Sequence, residues 1–572
     1  MSADEQAGPL KRRFGETRRI WSRSPRNQVE APQLPAAQID EPRPGTTLDR
    51  GFVHLAGWAL TDAGPVDRID VTVNGEDFSR ARLGITRKDL PKTFVIPTAM
   101  LGGFHCVLDL SELPETVDSV TITGRATAGS GDAFDLPTVV YELANREEVI
   151  DPDPARSAVL RERGVVRVPA GDSPGSAGKG LKILAVTHNI ALGGGQLVML
   201  ELLRRFGDEH NMSGAVIAPK DGATRDDLEE AGFEVHITGE YPVEDIETYE
   251  ARLAELAAWA APQEFDLVLV NTVLSFVGGD LAGRLGLPAV WIVHESYGLD
   301  GFWATFQKDA LHPYVRERGA KSFSDAAAVI FEVDATLELF RKSAGDAPLV
   351  SLPYGIDIAG HDRQIAKIDR EAERLRLGYS PEEFIVLCMG TIEPRKGQIQ
   401  LVEAFSRIAD AHQDARLVLV GALDNGYDAE VEKAAELLGV TGQIDIHPVT
   451  PDITPFYAAA DLLVCASDIE SLPRTVLEAM VFRLPVMATD VFGLPEVIED
   501  GRTGWIVESR DTASLAAGLT RAISASPEQR AEIAEAARRV VEEEHDSPAC
   551  SARYAEVLRR AVAGSREGSV VV

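Results

Sequence analysis

The sequence predicts an α/β protein of two doubly wound parallel-sheet units facing a cleft, preceded by a small all-β sandwich. Three observations carry this expectation. From Leu181 onward, short continuous apolar runs alternate with segments of helical period. The alternation restarts at FIVLCMG, near residue 384. Ahead of both, over residues 45–143, apolar residues alternate singly between turn formers.

In the first part, HLAGWAL, RIDVTVNGE, FHCVLDL and SVTITGRA read as strands, with Ile69, Val71 and Val73 alternating in the second. Trp58 is read as a core residue rather than a stacking platform for a ligand. Residues 22–46 are rich in Pro, Gln and Arg without apolar period, and read as linker. The stretch leading to Gly180 ends in GDSPGSAGKG, so the sandwich is expected to be tethered rather than built in. The first α/β unit begins with the strand KILAVTH, the loop NIALGGGQ and a helix through Leu197, Leu200, Leu203 and Phe206. It continues through AVIAP, DLVLVNT, AVWIVHE and AAVIFEV and ends near LPYGIDI. The second unit runs through FIVLCMG, RLVLVG, QIDIHPV, LLVCAS, PVMAT and GWIVE. Its helices are expected over 398–411, 428–438 and 473–482, with two more near 529–544 and 551–562. The chain then divides into a basic, largely disordered tail (1–46), a sandwich (47–147), a linker (148–180), a first Rossmann-like domain (181–360), a second (361–545), and a C-terminal helix and tail (546–572). Sheets of this kind bind ligands beyond the carboxyl ends of their strands, which places a site between the two units.

Composition narrows the classes of function. Against 57 basic residues stand 90 acidic ones, a net charge of −33, which disfavours a general nucleic-acid binder. The four cysteines form no CxxC pair, so a reduced, cytoplasmic setting without structural zinc is expected. There is no apolar run long enough to span a bilayer and no signal-type apolar block. Between residues 10 and 26, seven cations surround Leu10, Phe14 and Trp21, which would share a helical face. A disordered basic tail is the expected reading, and peripheral contact with an anionic membrane surface is the alternative. Nothing in the sequence signals an oligomeric state.

Two motifs carry the chemistry. ESLPRTVLE sets Glu470 and Glu478 eight positions apart where a loop passes into a helix. TIEPRKGQ, residues 391–398, sets Arg395 and Lys396 where a strand closed by Gly390 hands over to a helix. Hydroxyl acceptors on one side and phosphate donors on the other match the polarity of a sugar nucleotide. An isolated Arg-Lys pair would read as solvated loop cations, and paired carboxylates alone could suggest hydrolysis by acid and nucleophile. NIALGGGQ does not fit GxGxxG, so a dinucleotide site is a poor reading.

With these motifs in place, residues 181–563 resemble the retaining GT-B glycosyltransferases of glycosyltransferase family 4. The resemblance rests on NIALGGGQ, VHES, LPYGID, GTIEPRKGQ, AADLLVCASDIESLPRTVLEAM and GLPEVIEDGRTGWIV, in that order. It implies transfer of a sugar from a nucleoside-diphosphate donor to a glycan, polysaccharide or lipid-linked acceptor, with retained configuration and no cofactor or essential metal. By the same resemblance Arg395 and Lys396 meet the diphosphate, with Gly390 beside them, and Arg395 covers for Thr391, where many members carry Arg. Glu470 meets hydroxyls of the donor sugar, helped by the backbone at Ser471 and Leu472, and Glu478 accepts from the ribose. His294 is implied near the transferred sugar as a neutral imidazole bonding a hydroxyl. Gly194 and Gly195 lie near diphosphate and acceptor, and Glu496 belongs to a further donor-side loop in which Leu494 replaces a common glycine. Two other readings stand beside this one. The first is a carbohydrate-binding or assembly component on a non-catalytic transferase fold. The second is a nucleotide-sugar epimerase or oxidoreductase on a similar frame.

Overall fold

The computed structural model describes residues 34–48, 50–94, 96–111, 113–114, 116–144, 180–306 and 311–567. The basic segment 10–26 and most of the linker 148–180 lie outside the described residues.

The sandwich is two antiparallel sheets. One orders Ala36–Glu41, Phe52–Thr61, Gly103–Asp109 and Arg82–Ile85, with Gly64–Pro65 paired to the second of these. The other orders Val139–Glu142, Ser119–Thr127, Arg68–Val73 and Glu76–Arg80, with Ala133–Asp135 alongside Ser119–Thr127. Ile69, Val71 and Val73 point inward and their neighbours outward, as a strand's period of two requires. Asn74 and Gly75, with φ of 54° and 85°, form the tight turn joining two of these strands. Trp58 is buried, its ring edge-on to Phe94 at 5.2 Å. The expected linker 22–46 is corrected at its end, because Ala36–Glu41 is a strand paired antiparallel with Phe52–Thr61. Its only buried residue is Ile39, so backbone pairing rather than an apolar pattern holds it, and no periodicity marks it in the sequence.

Both α/β units are fully parallel. The first orders Phe233–Ile237, Ser213–Ala218, Lys182–Thr187, Leu267–Asn271, Ala289–Val293, Ala328–Phe331 and Leu349–Ser351. The second orders Ile444–Pro448, Ala415–Ala422, Phe384–Met389, Leu462–Cys465, Val486–Thr489 and Trp505–Val507. In each, the chain starts at an inner strand, winds outward one way and then the other, and leaves a crevice where the order reverses. Central strands such as Leu267–Asn271 are buried at every residue, because helices cover both faces.

The last helix, Ser547–Glu567, returns from the second unit and packs on the helix Gly194–His210 of the first. The crossing is fixed where His545 Nδ1 meets the Tyr354 carbonyl at 2.9 Å and Ser547 Oγ donates to Glu201 at 2.7 Å. Among the described residues no helix is long and apolar enough to cross a membrane.

A second correction concerns the sandwich, which is built in. In the helix Gln398–Ser406, residues 398–405 are all buried, including Gln398, Gln400 and Glu403. A helix of a doubly wound unit normally turns a polar face to water. Here neighbouring helices flank it and the sandwich covers what remains. Gly84 lies so close to Ile399 that a Cβ would come within 2.8 Å of it. Arg407 pairs with Asp67, and Leu101 joins the core of the second unit.

Burial raises the Glu403 carboxyl to about 8, only partly opposed by Arg407, with Asp67 adding to the rise. A carboxyl raised in the folded state contributes stability fully below its ordinary value and loses it as pH climbs through the raised one. Glu403→Gln, a permanent mimic of the neutral form, should therefore match the parent near pH 5 and exceed its melting temperature increasingly toward pH 9. A melting difference that does not change with pH would contradict this.

Candidate active site

The carboxyl edges of the two sheets face each other across a cleft of about 660 Å³. Of the residues expected to bind or act on the substrate, all line it except Glu496.

On the second unit, Gly390 follows the strand Phe384–Met389 and is followed by a single 3-10 turn, Pro394–Lys396, before the helix Gln398–Ser406. Gly390 has φ of 133°, as has nearby Gly421 at 137°, and a Cβ on Gly421 would come within 2.1 Å of the Gly390 carbonyl. Only glycine lets the two strand ends approach so closely. The turn presents both cations to one carboxylate. Lys396 Nζ lies 2.5 Å from Glu470 Oε2, Arg395 Nη1 lies 3.3 Å from it, and Ser467 Oγ donates to it at 3.2 Å. Burial opposes ionisation of Glu470, but Lys396 and Arg395 outweigh it and hold the carboxyl below its usual range. Thr391 lines the cleft beside them.

Glu478 projects into the cleft from the helix Arg474–Val481, whose Val476, Leu477, Met480 and Val481 are buried. It accepts from Tyr457 Oη at 2.9 Å, and Arg474 stands 3.5 Å away, one turn back. Leu472 is buried and its carbonyl accepts from Tyr354 Oη at 2.9 Å.

His294, at the end of Ala289–Val293, departs from expectation. Its Nδ1 is bonded to Glu332 and its Nε2 lies 2.8 Å from Asn271 Oδ1, so both ring nitrogens face acceptors. Burial disfavours the charged ring, but Glu332 outweighs it and keeps the imidazole above its ordinary value. The ring expected to offer a nitrogen to a hydroxyl is thus held between two acceptors of the protein itself. A second histidine in the cleft, His188, is pushed down to about 4 by burial and the nearby His294. His188 bridges Thr272 Oγ1 at 2.7 Å and Gln196 Nε2 at 3.0 Å. Gly195 is required here, since a Cβ would meet the His294 ring at 2.8 Å, while Gly194 beside it faces open space.

Glu332 also joins the two units. Its other oxygen accepts from Ser471 Oγ at 3.1 Å, and Ser471 in turn meets Thr336 Oγ1 at 3.3 Å. Outside the cleft lining, the Glu496 carboxylate accepts from the backbone N–H groups of Asp334 and Ala335 at 3.0 and 2.9 Å, the first turn of the helix Asp334–Phe340 in the opposite unit. Gly493 permits this closeness, since a Cβ would lie 2.4 Å from Val333. Sequence reasoning missed His188, Asn271 and Glu332, although each is a polar residue at or just past the end of a buried strand. That position was the available signal.

Without the two hydrogen bonds that Glu496 accepts, closure of the cleft weakens by about 0.5–2 kcal/mol, the range for a lost helix cap. Glu496→Ala should give a larger radius of gyration in small-angle scattering, and an unchanged scattering curve would contradict the assignment.

Comparison with known proteins agrees with this geometry. Residues 193–355 match the family described as glycosyl transferase 4-like domain, and residues 369–540 match glycosyl transferases group 1. The D-inositol 3-phosphate glycosyltransferase of Nocardia farcinica is 31% identical over 288 residues, which are 47% of this chain and 61% of that protein. The protein of the same description from Streptomyces scabiei is 29% identical over 276 residues, 46% of this chain and 61% of its own length. The chain thus spans about three fifths of the length of these relatives. Among solved structures, Anabaena HepE in complex with UDP and glucose superposes with a TM-score of 0.57 at 23% identity, over 66% of this chain and 99% of that one. Sucrose-phosphate synthase from Thermosynechococcus elongatus gives 0.57 at 18%, over 67% and 100%. At these identities the structural likeness is one of fold. Residues 193–355 and 369–540 of this chain therefore belong to the paired glycosyl transferase 4-like and group 1 domains, carried on a GT-B fold.

Proposed function

We propose that this chain transfers a sugar from a nucleoside-diphosphate donor to a hydroxyl of a glycan, polysaccharide or lipid-linked acceptor, with retention at the anomeric carbon and no essential metal. The carrying observation is the convergence of Arg395, Lys396, Glu470 and Glu478 on one cleft between two strand-end edges. As the glycosidic bond breaks, negative charge grows on the diphosphate, and fixed cations placed there lower the barrier more than they bind the ground state. Arg395 and Lys396 are those cations. Glu470, kept ionised by them, accepts hydroxyls of the donor sugar, and Glu478, oriented by Tyr457 and Arg474, accepts those of the ribose. With both ring nitrogens committed, His294 acts through its backbone carbonyl and by fixing Glu332. The acceptor hydroxyl attacks on the face that the diphosphate leaves, and a diphosphate oxygen takes its proton. A UDP-sugar is the first donor to try, since HepE is a neighbour in fold and was crystallised with UDP and with UDP-glucose. A cytoplasmic setting suits the four free cysteines, all buried.

The test measures release of nucleoside diphosphate from UDP-, GDP- and ADP-sugars in the presence of glycan and lipid-linked acceptors. One donor should be turned over. Lys396→Ala and Glu470→Gln should each lose about 2.7–4 kcal/mol of transition-state stabilisation, near a hundred- to thousandfold, while circular dichroism stays unchanged. Full activity in both variants would overturn the assignment.

A further inference from the structure

The sandwich holds the joint between the two motif loops. The backbone N–H of Asp468 donates to the Arg395 carbonyl at 2.8 Å, and Arg395 Nη1 returns to the Ile469 carbonyl at 3.3 Å. Two residues after Asp468 comes Glu470. Gly397 packs so tightly on Ala466 that a Cβ would lie 2.1 Å from its carbonyl. The loops carrying Arg395, Lys396 and Glu470 thus meet around Asp468.

The Asp468 side chain is 1% exposed, and burial raises its carboxyl, opposed first by Arg82 and then by Arg510. Arg82 belongs to the sandwich strand Arg82–Ile85 and is bonded directly to Asp468. Arg510 stands 3.9 Å away, and its own Nη1 donates to the sandwich carbonyl of Arg80 at 2.6 Å. Both cations that offset this buried carboxylate therefore either come from the sandwich or are held by it. A buried carboxylate that loses a partner becomes costly, and the backbone around it must shift to let in water or a proton. Asp468 would then move with the carbonyl of Arg395 on one side and Glu470 on the other.

We propose that the sandwich is a positioning element of the donor site, acting through Arg82 on Asp468 to fix the loops that bear Arg395, Lys396 and Glu470. The inference rests on the reading of these loops as a diphosphate site. Arg82 touches no reacting group and is a positioning residue.

The test compares Arg82→Ala, Arg82→Lys and Arg68→Ala in the full chain. Arg68 lies on the same interface, pairing with Glu508 at 2.9 Å, and is a matched loss of an ion pair that does not include Asp468. Binding of UDP, GDP and ADP is measured by calorimetry, donor turnover by nucleotide release, and loop order by amide hydrogen exchange over 391–397 and 466–470. Arg82→Ala should weaken nucleotide binding and turnover by about tenfold or more, since ångström misplacement of a positioned group costs up to about a hundredfold. Exchange in both loops should quicken, Arg82→Lys should recover part of the loss, and Arg68→Ala should lower the melting temperature while leaving affinity and exchange alone. Parent-like affinity and exchange in Arg82→Ala would overturn the proposal, as would equal impairment of Arg68→Ala, which would reduce the effect to general stability. If the parent binds none of the three nucleotides, the functional reading falls. Exchange then still decides the mechanical coupling, and unchanged loops in Arg82→Ala reject it.

Discussion

The ion pair between Lys396 and Glu470, with Arg395 against the same oxygen, is the interaction on which the rest of the cleft depends. Taking a carboxylate out of water costs several kcal/mol, and an ion pair repays it only with short contacts and further hydrogen bonds. Glu470 has both, from two cations and the Ser467 hydroxyl, and the balance falls on the ionised side. The pair also sets backbone demands. Cations from a turn after one strand and a carboxylate from a loop after its neighbour can meet only if the chains nearly touch, and glycines at 390, 397 and 421 make that contact possible. Under the proposed function, a phosphate-binding face and a hydroxyl-binding face are thereby made from one compact cluster.

From this cluster, polar contacts run across the cleft. Ser471, next to Glu470, donates to Glu332, which holds His294, which meets Asn271. Glu496 reaches the opposite unit independently and caps its helix Asp334–Phe340. Behind the cleft one buried apolar cluster runs through both units, taking in Val333 and Tyr354 of the first and Leu472 and Leu494 of the second, and these hydrogen bonds of modest individual strength join the units across the cleft itself. Under the proposed function, such hydrogen bonds suit a cleft that opens for substrates and closes to keep water from the reacting centre.

What the sequence revealed follows from which physics leaves a local trace. The buried central strands were legible because a parallel strand covered on both faces is a continuous apolar run, as in LVLVN and AVWIV. The strand Phe233–Ile237 was missed because FEVHI, at the sheet edge, alternates with Glu234 and His236. Ala36–Glu41 was missed because one buried isoleucine is no pattern. In the site, Arg395, Lys396, Glu470 and Glu478 were legible because each sits in a short motif with its own spacing. The contact of His294 with Glu332 was not, since Glu332 lies 38 residues away and outside the motif VHES. Docking of the sandwich was least legible of all. Arg82 and Asp468 are 386 residues apart, and neither has a sequence neighbour announcing the other. A glycine- and serine-rich linker signals a flexible connection, yet says nothing of what its ends do once folded.

The account's central claim is that the two cations and two carboxylates grip opposite ends of one activated sugar. A crystal structure of the full chain with UDP tests it most directly. The account predicts the diphosphate about 2.7–3.2 Å from nitrogens of Arg395 and Lys396, with the ribose hydroxyls on Glu478. A UDP bound outside the cleft, or bound within it with the diphosphate turned away from both cations, would contradict it.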